Sequence, residues 1–243
     1  MRKNSTDIFL RYLSAQSLPT LERPIIPKPA ITISRQTGAG ALTVANLVAE
    51  KLDVTCQGDP PCPWSVFDRN LVAKILEDHS LSAKIEQFMP EDAKLPLTDT
   101  LEALLGLHPT AWTLKEHAKE TIRSLAKQGN VILVGRGGAV ITSFLPHILH
   151  IRLVAPFSFR VRHFARYHQI TEEKATRQVR ETDEARHRYV QRFLGANVDD
   201  PTSYHFVINT GRTGFAGAAQ IIAEALVEQM MRERREEETV HSR

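Results

Sequence analysis

The sequence predicts an α/β domain built on a parallel sheet of about five strands with helices on both faces. Short β-branched or apolar runs alternate with amphipathic helical patterns along most of the 243 residues. That alternation is expected of parallel strands joined by helices. In addition, a glycine-containing turn, RQTGAGA, directly follows the first run, as in a strand–loop–helix unit.

An N-terminal arm is predicted to precede this domain at residues 1–29. Residues 5–17 fit a short helix with four apolar side chains on one side: Ile8, Phe9, Tyr12 and Leu13. Four prolines follow before residue 30, and proline-rich segments are extended. We therefore expect the single domain to span residues 30–234.

Five short runs rich in β-branched and apolar residues predict the strands. They lie at residues 30–34, 65–68, 130–135, 148–154 and 204–209. In parallel sheets, ligands bind beyond the carboxyl ends of the strands. The loops at those ends begin at Ser34, Asp68, Gly135, Val154 and Asn209. Because glycines and charged residues follow several of them, we expect the functional site at this edge.

Helices are predicted between the strands and after the last one. They cover residues 42–52, a helical lobe at 69–128 broken at prolines, two helices within 157–192, and a closing helix at 215–234. Thr171 is predicted to cap the second helix of the pair, because Glu172 and Glu173 follow it in the first turn. Residues 235–243 are predicted to be a charged tail.

Composition excludes several classes of protein. The chain is 42% hydrophobic and 24% charged with a formal net charge of +3, which is ordinary for a soluble domain and does not favour a nucleic-acid partner. No run has the length of a membrane span, and the charged start is not a secretory signal, so we expect a cytoplasmic protein without a membrane partner. Cys56 and Cys62 are too few for a disulfide framework.

Basic residues are concentrated between residues 152 and 192, a segment that contains ten Lys or Arg but only five Asp or Glu. This surplus fits either an anion site or a solvated helix face. The ten histidines of the chain show no spacing that predicts a metal site, so the metal ligands stay unassigned.

The glycine turn matches only part of the phosphate-loop pattern G-x-x-x-x-G-K-[ST]. Arg35 stands at the first glycine, Gly40 at the second, Ala41 at the lysine and Leu42 at the Ser/Thr position, with Thr43 one residue later. One interpretation is a simple turn between a strand and a helix.

The other interpretation is an anion cradle formed by backbone N–H groups, which needs no lysine. Gly38 and Gly40 would permit the positive φ angles of such a loop, whose nucleotide-binding residues would be Gly38, Ala39, Gly40, Ala41, Leu42 and Thr43. Arg35 could supply a substitute charge for the lysine.

Four segments together resemble the cytidylate kinase-like proteins, which are relatives of the nucleoside monophosphate kinases. These segments are ITISRQTGAGALTVANLVAEKL, VFDRNLVAKILE, VILVGRGGAVI and residues 150–212. The resemblance covers about residues 30–223. It implies a phosphate-loop kinase fold, a nucleotide ligand, and Mg²⁺ bound together with ATP.

The resemblance also assigns residues of the site. It implies that Asp68 begins the acceptor-binding region and that Arg136 grips the acceptor phosphate, although the D-G-R-D turn of true cytidylate kinases reads V-G-R-G here. Residues 157–192 would form an arginine-rich lid over a helical acceptor-side lobe at 69–128. The catalytic charges would come from Arg35, Arg160, Arg162 and Arg186, and further acceptor contacts from Asp183 and Arg188. An Asp183–Arg186 surface salt bridge is the alternative for that pair.

Three functions are consistent with these patterns. The first is a phosphotransferase that moves a phosphoryl group from ATP to a nucleoside monophosphate or other small phosphorylated acceptor. The second is a nucleotide-binding sensor without turnover, which the missing lysine favours. The third is an anion-binding interaction protein, in which the chain could form a homo-oligomer and the N-terminal arm could reach a partner.

Overall fold

The computed structural model describes residues 28–55, 63–68 and 111–241. The predictions for residues 1–27, for Cys56 and Cys62, and for residues 69–110 of the helical lobe lie outside this part of the chain.

The described strands form one parallel sheet. They are β1 (Ala30–Arg35), β2 (Ser65–Asp68), β3 (Val131–Val134), β4 (Ile148–Val154) and β5 (Phe206–Asn209). Their order in the sheet is β2-β3-β1-β4-β5, and every adjacent pair is parallel. The chain therefore moves to one side of β1 for the next two strands and then to the other side, which places a topological switch point at the carboxyl end of β1.

Helices connect these strands and close the fold. They are α1 (Ala41–Thr55), α2 (Ala111–Gln128), α3 (Gly138–Ile141), α4 (Phe157–His168), α5 (Glu172–Leu194) and α6 (Thr210–His241), with a 3₁₀ turn at Pro201–Ser203. Thr171 caps α5 as predicted, because its side chain accepts a hydrogen bond from the Lys174 N–H. Among the described helices, none is both long and apolar enough to cross a lipid bilayer.

The sheet is covered on both faces. Ile31 and Ile33 of β1 are buried in the main hydrophobic core, which also contains buried side chains of α1 and α6 such as Val44 and Ile222. Thr32 points to the opposite face, where a Cβ on Gly138 of α3 would lie 3.2 Å from the Thr32 Cβ. This alternation is the period-2 pattern of a strand that is buried on both sides, and the predicted α/β class is confirmed.

The closing helix agrees with the prediction at its start and extends beyond it at its end. Helix α6 (Thr210–His241) breaks at Gly214, where φ is +68° and ψ is 171°, so its long segment begins at Phe215 as predicted. The charged residues after 234 are strong helix formers, so the predicted tail is helical as far as His241.

Two short elements were missed, and one strand starts later than predicted. The four residues of α3 are too few to show helical periodicity. The strand predicted at 204–209 begins at Phe206, because Tyr204 ends the 3₁₀ turn at Pro201–Ser203. There the Tyr204 hydroxyl donates to the carbonyl of Val198 at 2.9 Å.

Candidate functional site

The predicted phosphate loop is a compact turn between β1 and α1. The Gln36 N–H donates to the Leu153 carbonyl of β4 at 2.9 Å, and the Ala39 N–H donates to the Gln36 carbonyl at 3.1 Å. Gly38 and Gly40 have φ angles of +85° and +79°, which side chains disfavour. Helix α1 begins at Ala41, so the N–H groups of its first turn face the carboxyl edge of the sheet.

Space also requires glycine at both positions. A Cβ on Gly38 would lie 2.3 Å from the carbonyl oxygen of Arg160, and a Cβ on Gly40 would lie 2.3 Å from the Phe215 ring. The His163 side chain also contacts the loop, since its Nδ1 lies 3.0 Å from the Gly38 carbonyl oxygen. The loop is therefore packed between α4 and the start of α6, which fixes its path.

Asp183 of α5 binds directly to this loop. Its Oδ1 accepts the N–H of Thr37 at 2.8 Å and Nη1 of Arg186 at 2.8 Å. Its Oδ2 accepts Nη1 of Arg160 at 2.6 Å. The Asp183–Arg186 pair is an ion pair as the sequence allowed, but it is buried, since the Arg186 side chain is only 5% exposed.

Both arginines of this network also contact the loop. Arg160 donates to the carbonyl oxygens of Thr37 at 3.1 Å and Ala155 at 3.0 Å. Arg186 donates to the Thr37 hydroxyl at 3.2 Å. The predicted lid residues Arg160, Asp183 and Arg186 are thus docked on the loop in this structure.

Three guanidinium groups converge at the carboxyl ends of β1 and β3. Burial lowers the pKa of Arg35, and the positive charge of Arg136 lowers it further, while Asp68 opposes this effect. Burial, together with Arg35, lowers the pKa of Arg186 to about 10, and Arg136 contributes in the same direction. The three cations therefore raise one another's free energy, and Asp68 and Asp183 offset only part of this repulsion.

Two buried nitrogens of this cluster, Nη1 of Arg35 and Nε of Arg186, have no hydrogen-bond partner among the described residues. A buried donor without an acceptor costs free energy, and charged donors cost most.

A second network, which the sequence did not reveal, ties β4 to α5. Arg152 is 3% exposed and donates to the Ser34 hydroxyl at 3.1 Å and to Asp199. Asp199 also binds the His187 ring. Hydrogen bonds to Asp199 and to the Asp183 carbonyl raise the pKa of His187. This network fixes α5 over the sheet and thereby holds Asp183 and Arg186 in place.

The structure brings together many of the residues predicted for the site: Arg35, Gly38, Ala39, Gly40, Arg136, Arg160, Asp183 and Arg186. Ala41 is buried and Leu42 and Thr43 are half-buried in the first turn of α1. Arg162 is exposed on α4. Arg188 lies apart on α5, where its side chain is 71% exposed and 3.6 Å from Glu184.

Thr37, Arg152, Asp199 and His187 are the site residues that sequence reasoning missed. Thr37 could have been found, because it lies inside the glycine turn. The other three follow no motif, and their contacts join residues far apart in the chain, such as Ser34 and Arg152.

A resident metal does not fit the described side chains well. Within residues 28–55, 63–68 and 111–241, no three His, Cys, Asp or Glu side chains are grouped as metal ligands. Asp68 and Asp183 interact with the positive charges of Arg35, Arg160 and Arg186.

Comparisons with known proteins identify the family and the fold. The chain matches the sequence model of a family described as the cytidylate kinase-like family over residues 30–212. Its structure is similar to the crystal structure of an uncharacterized protein from Eubacterium ventriosum, with a TM-score of 0.58 and 17% identity over 82% of this chain and 98% of that chain. That likeness shows a shared fold.

Other comparisons are more distant. A shikimate kinase from Bacteroides thetaiotaomicron aligns with a TM-score of 0.46 and 13% identity, over 82% of this chain and 98% of that chain. No curated protein matches the sequence.

Proposed function

Because the chain belongs to the cytidylate kinase-like family, we propose that it is a nucleotide-binding phosphotransferase. It would move a phosphoryl group from ATP to a nucleoside monophosphate or another small phosphorylated acceptor. In this reaction, an acceptor oxygen forms a bond to the terminal phosphorus of ATP while the bond from that phosphorus to the bridging oxygen breaks and ADP leaves.

The observation that carries the proposal is the guanidinium cluster of Arg35, Arg136 and Arg186 beside the glycine loop. Burial and the repulsion between these cations lower the pKa values of Arg35 and Arg186, and each of these two side chains has a buried nitrogen without an acceptor among the described residues. A phosphate group supplies both the charge and the oxygens that these nitrogens need.

Each part of the site would have one task. The backbone N–H groups at the start of α1 would bind phosphates of the donor. Arg136, at the end of β3, would bind the acceptor phosphate, and Arg35 and Arg186 would neutralise charge between donor and acceptor. Phosphoryl transfer depends mainly on positioning and electrostatic stabilisation, which these groups provide without a nucleophile of the protein. Mg²⁺ bound together with ATP would add positive charge beside these arginines.

Arg35 would take the role of the lysine that Ala41 replaces. The residue lies at the end of β1, next to the loop, and its guanidinium interacts with the charges of Arg136, Asp68 and Arg186. A lysine at position 41 would instead approach from the first turn of α1.

A nucleotide sensor without turnover is the second candidate. Ala41 offers no charge and Leu42 no hydroxyl for a magnesium ion, and Asp183 occupies a loop N–H. Both functions require nucleotide binding, so product formation separates them.

A binding screen followed by a turnover assay tests the proposal. Nucleoside mono-, di- and triphosphates, each with and without Mg²⁺, are compared by thermal shift and then by calorimetry. We expect a monophosphate and a triphosphate to bind together and to yield two diphosphates. Binding without product would support the sensor, and a screen with no binding would refute both functions.

A further inference from the structure

One N–H group of the predicted phosphate loop already donates to a carboxylate of the protein. Asp183 accepts the Thr37 N–H at 2.8 Å, and its second oxygen binds Arg160. Thr37 directly precedes the two cradle glycines, so this N–H belongs to the same turn. We propose that Asp183 is an internal counter-anion of the loop, which a phosphate group of the nucleotide must displace, and that it thereby determines the affinity of the site.

This inference rests on the proposed function, and the burial of Arg186 supports it independently. Arg186 is 4% exposed, and its Nη1 lies 3.2 Å from the Thr37 hydroxyl. Its Nε has no partner among the described residues. Asp183 therefore accepts a hydrogen bond from only one nitrogen of this guanidinium. An anion with more oxygens would accept hydrogen bonds from more of its nitrogens.

Asp183 and a phosphate cannot share the loop at low cost. One N–H donates one good hydrogen bond, so a phosphate oxygen bound to Thr37 replaces the Asp183 oxygen. A carboxylate that stayed beside the phosphate would repel it in a partly buried site, where charges are weakly screened. Displacement removes both conflicts.

The remaining contacts explain how Asp183 can leave without disrupting the loop. Arg160 keeps its bonds to the carbonyl oxygens of Thr37 and Ala155, and Arg186 keeps its bond to the Thr37 hydroxyl. The Asp183 side chain is 18% exposed, so a rotation of its carboxylate can reach water. Both guanidiniums then remain at the loop with freed donors for the ligand.

Calorimetric titration with pyrophosphate, in the absence of Mg²⁺, tests the proposal. The Asp183→Asn side chain keeps nearly the same shape but removes the competing charge. We expect it to bind pyrophosphate roughly tenfold to hundredfold more tightly than the parent, because a like charge beside the ligand has been removed. Glu184→Gln is the matched control, since it removes the same charge from an exposed neighbour in α5, and we expect its affinity to stay within about twofold of the parent.

The outcomes separate this inference from the proposed function. If the parent and Glu184→Gln bind pyrophosphate but Asp183→Asn binds equally or more weakly, Asp183 supports the loop and the inference is wrong while the proposed function stands. If none of the three proteins binds pyrophosphate, the loop is not a phosphate site and both are wrong.

The parent protein provides a second test in case Asp183→Asn does not fold. A crystal structure of the parent with pyrophosphate should show a ligand oxygen on the Thr37 N–H and the Asp183 carboxylate turned away. Pyrophosphate bound in the loop with the Thr37–Asp183 bond intact would overturn the inference.

Discussion

Two features restrict position 38 to glycine: its positive backbone φ angle and the nearby backbone of α4. Its φ is +85°, and a Cβ would lie 2.3 Å from the Arg160 carbonyl oxygen, which is part of the backbone of α4. We expect Gly38→Ala to lower the free energy of unfolding by about 2–4 kcal/mol, because it adds a strained angle to a steric clash. Denaturant titration measures this change.

Gly217→Ala is the control for that substitution. Gly217 lies within α6, and the nearest atom to its added Cβ is 3.6 Å away. Alanine favours a helix interior over glycine, so this variant should match or exceed the stability of the parent. A Gly38→Ala protein as stable as the parent would show that the loop can move away from α4 and is less tightly packed than the 2.3 Å distance indicates.

Arg136 is predicted to bind the acceptor phosphate and not the acceptor base. We expect Arg136→Ala to weaken a nucleoside monophosphate about tenfold to hundredfold, since a hydrogen bond to a charged group contributes about 1.5–3 kcal/mol. Affinity for the matching nucleoside should hardly change. Arg177→Ala, at an exposed position of α5, serves as the control, and equal weakening of both ligands by Arg136→Ala would indicate a structural role.

Substitutions at Arg35 and Ala41 test whether Arg35 supplies the positive charge that a phosphate-loop lysine would provide. If Arg35 has replaced it, Arg35→Ala should reduce triphosphate affinity by at least about tenfold, and Ala41→Lys should add little. If the charge is simply missing, Ala41→Lys should tighten binding and Arg35→Ala should have a small effect. Calorimetry with ATP and Mg²⁺ distinguishes these cases, and no effect of either substitution would place both residues outside the phosphate site.

At the scale of the element, β4 carries a buried histidine that makes stability depend on pH. His150 is 7% exposed, and its Nδ1 lies 2.8 Å from the Thr32 hydroxyl of β1. Burial and the neighbouring His205 lower the pKa of His150 from 6.5 to about 4. Between these values the unfolded chain binds a proton that the folded protein does not, so acid favours unfolding.

The folded protein should therefore lose stability as the pH falls from 6.5 towards 4. A decrease of this size in one pKa corresponds to about 3 kcal/mol. We expect His150→Gln, which cannot titrate, to show a smaller loss over this range in thermal melts than the parent. Carboxylates affect both proteins alike, and parallel pH profiles of the two would show that His150 is not the cause.

At the scale of the whole molecule, ligand binding should stabilise the fold. The loop lies between β1, α1, α4, α5 and α6, so a ligand bound there contacts segments from most of the described chain. A nucleotide at 100 times its dissociation constant should add roughly 2.7 kcal/mol to the free energy of unfolding. Thermal melts with and without nucleotide measure this gain, and an unchanged melting temperature at saturation would contradict binding to the folded state.

The sequence was sufficient for the number and approximate limits of the strands and for most helices. The strands at 65–68 and 148–154 have the predicted limits, because β-branched and apolar runs bounded by turns are a strong local signal. The four-residue helix α3 could not be predicted, because it is too short to show helical periodicity.

Only part of the candidate site could be predicted. The loop glycines and Arg136 follow strands directly, so their position at the carboxyl edge follows from the parallel order. The Thr37–Asp183 bond joins residues 146 positions apart, and no local pattern reports such a contact. Arg160 and Arg186 lie in the segment at 152–192 where the sequence shows an excess of basic residues. Their burial, however, depends on how α4 and α5 pack.

These long separations have a consequence for the nascent chain. The loop is synthesised early, but its partners Asp183, Arg186 and Thr210 follow 146, 149 and 171 positions after the loop residues that they contact. At roughly 5–20 residues per second of synthesis, about 7–35 s pass before the ribosome has supplied them. During that interval the turn lacks the side chains that fix its path. A nucleotide bound at this loop can therefore stabilise the fold only after the chain has been synthesised past Thr210.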